Sequence, residues 1–118
     1  LLPNALAFVA PHAGLMYSGT VAAAAYRHLS RQPPRTVILL GFAHHGAPAG
    51  AWIPEVGSYR TPLGEAPVDR ETAAELLAHP GFGSLREEIV CDHSIEIQLP
   101  LLQWAAPGAA VVPIYVSA

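Results

Sequence analysis

The run Thr36-Val-Ile-Leu-Leu-Gly41 carries no charge, follows Pro33-Pro34 and Arg35, and closes on glycine. A strand open to solvent on one side alternates apolar and polar residues. A run without alternation instead needs cover on both faces, as parallel strands between helical layers have. Upstream, Ala5-Leu-Ala-Phe-Val-Ala10 has the same character and ends at Pro11. Between the two, Gly19 to Ser30 holds four consecutive Ala, Tyr26 and Leu29, a predicted helix with Ser18 as its N-cap. The three segments read as a strand-helix-strand crossover of about 30 residues, the unit that joins parallel neighbours.

The rest of the chain continues the alternation. Short strands are expected at Ala51 to Pro54 and Val56 to Arg60, with a turn at Thr61-Pro-Leu-Gly64. Asp69 offers a cap for a second helix through Leu76 and Leu77, stopped by Pro80-Gly81. Glu88-Ile-Val-Cys91 reads as a brief strand. Ser94 to Ala106 reads as a third helix that Pro100 should kink, and Ala110 to Val116 as another buried strand. Strands alternating with helices argue for an α/β layered sheet.

Composition narrows the function classes. The 118 residues include six Arg, no Lys, nine acidic residues and a net charge of −3, and the Arg residues are scattered. No basic patch for nucleic acid is present. No apolar run reaches the roughly 18 to 20 residues of a membrane span, and the start of the chain lacks a basic signal-peptide region. Cys91 stands alone, which excludes an internal disulfide and a thiolate-rich zinc site and fits a reducing, cytoplasmic setting. Both ends of the chain are apolar, and the expectation is a piece of something longer.

The histidines fall in a pattern. His12 follows the first expected strand, His44 and His45 follow the second, and His93 follows the brief third. In a parallel sheet, residues past the carboxyl ends of the strands share one rim, where open α/β folds bind ligands. A single strand-end His is more often an ordinary loop residue. Three coincident placements favour a site, and neutral imidazole is the commonest ligand for iron, zinc or copper. His28 and His79 lack this placement and read as surface or capping residues. Tyr17 could donate a hydrogen bond at the loop-to-helix junction, and Glu96, three residues after His93, could orient an imidazole. Cys91 reads as a core thiol rather than a nucleophile.

Five motifs occur in order: Ala10-Pro-His-Ala-Gly14 with Tyr17-Ser-Gly19; Leu40-Gly-Phe-Ala-His-His45; Tyr59-Arg-Thr-Pro-Leu-Gly64 with Asp69; Asp92-His-Ser-Ile-Glu-Ile-Gln-Leu-Pro100; and Val112-Pro-Ile-Tyr-Val116. In this order they resemble the Memo-like family, also labelled AmmeMemoRadiSam system protein B. The resemblance implies a three-layer α/β/α fold with a mostly parallel central sheet, similar to the catalytic subunit of class III extradiol dioxygenases. It implies a metal cleft with His12 and His44 as ligands, iron being the first expectation and copper or zinc the alternatives. His45, His93, Tyr17 and Glu96 would line or support that cleft. The family's third ligand, a Cys, and its candidate acid/base His in an Asp-x-x-His segment do not occur here. Residues 1–118 are therefore expected to form one Memo-like domain, incomplete at its C-terminus and inactive alone.

Two functions follow as expectations. One is a metal-dependent redox or dioxygenase-like enzyme. The other is a non-catalytic module that uses the same cleft for a peptide or small ligand. The family label also implies a pathway shared with radical SAM and AMMECR-type proteins.

Overall fold

A computed structural model describes residues 5–118. In chain order the elements are α1 (Leu15–Leu29), β1 (Thr36–Phe42), β2 (Gly50–Pro54), β3 (Ser58–Thr61), β4 (Gly64–Pro67), α2 (Arg70–Leu77), β5 (Gly83–Leu85), α3 (Glu87–Val90), α4 (His93–Glu96), α5 (Leu99–Ala105) and β6 (Ala110–Ser117). The main sheet has the order β1-β6-β2-β5, and β3 and β4 form a separate hairpin. β1 and β6 run parallel, as do β2 and β5, while β2 and β6 are antiparallel. The central sheet is thus mostly parallel, as expected.

β6 is the strand that fits the two-sided reading best. Val111 and Tyr115 pack toward α1, α4 and α5, whereas Val112 and Ile114 pack toward Ala73 of α2 and Ile53 of β2. Helices on both faces give the three-layer α/β/α arrangement. Pro113 sits inside this central strand, where a missing N–H would normally break a ladder. Ala110 donates to the Arg35 carbonyl and Asp69 to that of Val111, so even-numbered residues of β6 hydrogen-bond toward β1 and odd-numbered ones away from it. Pro113 therefore faces the gap between the Val68 bridge at Val111 and the β2 ladder that begins at Tyr115, where no strand partner asks for its N–H.

β1 departs from its expected cover. Val37 and Leu39 pack on the core, but Ile38, Leu40 and Phe42 stand exposed on the other face. The reason is position: β1 is an edge strand, and α2 packs over β6 and β2 instead. The expected strand at Ala5 to Ala10 is also absent, for this stretch pairs with no strand and Leu6 and Val9 are fully exposed.

Other boundaries moved for local reasons. α1 begins at Leu15 with Gly14 as N-cap, so Ser18 lies inside the helix, where its hydroxyl donates to the Ala13 carbonyl. Asp69 caps α2 as expected, accepting from the Thr72 amide. The expected strand at Glu88 to Cys91 is a single helical turn. Two acidic residues in its first turn suit a helix N-terminus better than a strand. The third helix is split into α4 and α5, because Pro100 cannot donate back across a continuous helix and is tolerated only in the first turn of α5. Under that break, Leu99 and Leu102 are fully buried against Tyr26 and Val111, each stabilising the fold by roughly 1.5–3 kcal/mol.

Candidate metal centre

Three loops deliver the histidines. His12 lies two residues before Gly14, the N-cap of α1; His44 lies two residues past the end of β1; His93 opens α4. β1 carries His44 to the carboxyl rim of the sheet, and α4 packs across the same end. Ser94 explains why. Its hydroxyl donates to the Phe42 carbonyl and accepts from the Phe42 amide, each at 2.9 Å, fastening α4 to the last residue of β1.

The three rings meet. Ring centroids are 5.4 Å apart for His12 and His44, 5.7 Å for His12 and His93, and 4.8 Å for His44 and His93, the last pair nearly parallel at 20°. One nitrogen from each ring lies within 4.8 Å of the others. Nitrogens sharing one ion at about 2.0–2.1 Å sit roughly 3–3.4 Å from each other. All three side chains are exposed, so χ rotation can close that difference. Three neutral imidazoles from separate segments are a donor set that could hold a divalent transition metal.

Asp92 organises the set. Its carboxylate accepts from the His44 amide at 3.2 Å and lies 3.0 and 3.1 Å from His44 Nδ1, and it accepts from the Ser94 amide at 2.9 Å. An Nδ1 proton donated to a carboxylate leaves Nε2 as the lone-pair nitrogen for a metal, the usual carboxylate–histidine–metal arrangement. Burial of this carboxyl group alone would raise its pKa, but the Ser94 amide, the His44 ring and the His44 amide together hold it down at about 2, below the ordinary 3.8.

A folded-state pKa below the unfolded one stabilises the fold above the unfolded value, and that stabilisation disappears as pH falls through the folded value. Asp92→Asn is expected to flatten the loss of stability between about pH 4 and pH 2, measured as urea midpoints across pH. The same variant is expected to weaken metal binding about 10- to 100-fold. An unchanged acid limb together with unchanged metal affinity would remove Asp92 from the site.

The remaining residues singled out in the sequence lie apart from the three-ring cluster. The His45 ring centroid lies 6.4 Å from that of His44, and His45 is not in the nitrogen cluster. Tyr17 is 84 % exposed on the first turn of α1, with its ring beside Gly14. Glu96 is exposed at the end of α4, and among the described residues the carboxylate that touches the rings belongs to Asp92. The pairing of Asp92 with His44 is not among the sequence expectations, although an Asp directly before a helix-opening His is a signal for it. Cys91 lies beneath the site at 3.6 Å from the Tyr59 hydroxyl, and burial pushes its thiol up, the opposite of what a nucleophile needs. No described helix is long and apolar enough to cross a membrane.

Comparisons with known proteins agree with the motif order. Residues 3–118 match the family model described as Memo-like protein. A MEMO1 family protein of Sulfolobus acidocaldarius is 45 % identical over 112 residues, covering 92 % of this chain and 39 % of the relative. One from Aeropyrum pernix is 41 % identical over 116 residues, 96 % of this chain and 41 % of the relative. Another, from Thermotoga petrophila, is 37 % identical over 119 residues, 96 % of this chain and 42 % of the relative. The chain thus spans about two-fifths of the length of these relatives. With the family model matching nearly every residue, the chain belongs to the Memo-like protein family.

Proposed function

We propose that His12 and His44 hold a single divalent metal, with His93 facing the same ion, and that the centre serves non-haem-iron redox or dioxygenase-like chemistry. The observation that carries this reading is the convergence of three imidazoles with nitrogens within 4.8 Å of one another, with the Asp92 carboxylate beside the His44 and His93 rings. Iron is the first choice, and copper or zinc would suit the same nitrogens. When bound, such a metal acts as a Lewis acid and redox centre that orients an oxidisable substrate.

This chain's own contribution is positional. Asp92 keeps His44 turned outward and its Nδ1 occupied, Ser94 fixes the end of β1, and the exposed faces of the three rings leave an open side. We propose that the rest of the family's length supplies further donors and the catalytic acid/base on that side, so residues 1–118 form part of one domain and are inactive alone. The setting would be cytoplasmic, with a small-molecule or peptide ligand and a pathway shared with radical SAM and AMMECR-type proteins.

Anaerobic titration with Fe(II), followed by equilibrium dialysis and elemental analysis, tests the centre. One equivalent of metal per chain is expected, competed by Zn(II). No stoichiometric uptake of either ion would overturn the reading. In the full-length family protein, substrate oxidation that rises with iron occupancy would support an enzyme, and ligand binding indifferent to metal would favour a non-catalytic module.

A further inference from the structure

Gln98 and Tyr26 are buried polar side chains that the metal reading does not use. Gln98 is 7 % exposed at the start of α5, and Tyr26 is 7 % exposed on α1. The Tyr26 hydroxyl donates to Gln98 Oε1 at 2.9 Å, and Gln98 Nε2 donates to the Pro11 carbonyl at 3.0 Å. Burial holds the Tyr26 phenol up at about 12, so it stays a proton donor at neutral pH.

An amide in this position is a specific choice. A buried amide left without partners costs about 1–3 kcal/mol, whereas a methionine of similar length would pack there without that demand. Both ends of the amide are matched, and the far end reaches the peptide group that leads into His12. That peptide is planar, and the ring of Pro11 fixes φ on its other side, so holding the Pro11 carbonyl sets the direction in which the His12 Cα departs. Residues 5–12 join no strand that could do this instead.

We propose that Gln98, itself oriented by Tyr26, is the positioning residue for His12. Asp92, Ser94 and Gln98 then form a set on one short stretch: Asp92 grips His44, Ser94 grips the strand end before it, and Gln98 grips the loop before His12. The purpose of this clamp rests on the metal-centre reading, but its geometric content does not.

The test uses the metal-free chain. Nuclear Overhauser cross-peaks between imidazole protons should connect His12 to His44 and His93, and His44 to His93. In Gln98→Met the cross-peaks of His12 should be lost while the His44–His93 peak persists, an internal control that general unfolding would remove. Tyr26→Phe keeps the glutamine but frees its amide to rotate, and should weaken the His12 peaks at least twofold. If Gln98→Met does not fold, Tyr26→Phe carries the test. His12 cross-peaks of unchanged intensity in whichever variant folds would overturn the proposal. A Zn(II) titration separates the two readings: about tenfold weaker binding in Gln98→Met supports the clamp acting on the metal site. A wild-type chain that takes up no metal overturns the metal centre and leaves the cross-peak result to stand or fall by itself.

Discussion

His44→Ala is expected to reduce Fe(II) or Zn(II) affinity by at least about 100-fold, more than the loss of a supporting carboxylate would cause. It removes the ring that Asp92 holds, one of the two histidines proposed as ligands. The fold should survive the change. Asp92 keeps the Ser94 amide and the His44 backbone amide as donors, and the lost ring is 32 % exposed. His12→Ala should act alike, since the His12 ring is exposed at the site. His28, whose ring instead lies 5.1 Å from that of Phe8, is the control, and His28→Ala should leave affinity unchanged. Calorimetric titration of the variants beside thermal melts reads both quantities. Affinity retained in His44→Ala would refute the ligand assignment.

Gly41→Ala should be strongly destabilising for a single added methyl. A Cβ at this position would lie 2.5 Å from Ile95 Cγ1 and 2.6 Å from Ser94 Oγ. Glycine is not needed here for its backbone conformation, because Gly41 is not among the residues of positive φ. Replacing a glycine by alanine in an unstrained backbone would ordinarily stabilise by about 0.4–1 kcal/mol. Overpacking costs about 1–3 kcal/mol, and Ile95 is fully buried with nowhere to retreat, so the clash prevails. Relief requires α4 to move away from β1, which breaks the Ser94 bonds to Phe42 and shifts His93. A lowered melting temperature accompanied by weakened metal binding is therefore expected from the one substitution. A melt at or above the wild-type value would show that α4 is not wedged against the strand.

These two positions also show how much could be read before the structure. The unbroken apolar character of Ala110 to Val116 announced a strand covered on both faces, because burial on two sides leaves no room for alternation. Thr36 to Gly41 has the same character and yet occupies an edge with one bare face. Hydrophobicity records how a residue could be buried, not which neighbours arrive to bury it. Ala5 to Ala10 failed for the same reason: its apolar residues meet no strand partner among the described residues. At the site, His12, His44 and His93 do meet, although only His44 follows a strand: the stretch before His12 pairs with no strand and the segment before His93 is helical. What spacing could not convey was the bracing. Asp92, Ser94 and Gln98 act on groups 48, 52 and 87 residues away in sequence, and such pairings exist only once the chain has folded.

That bracing has a practical consequence. All three braces arise between Asp92 and Gln98, and none of them is one of the two histidines proposed as ligands. Randomising these few positions while leaving His12, His44 and His93 intact would vary the bite of the site, the spread and tilt of its nitrogens, without altering its donor chemistry. The stretch is in effect a tuning peg, a short and contiguous handle through which the metal preference of the proposed centre could be adjusted by directed evolution.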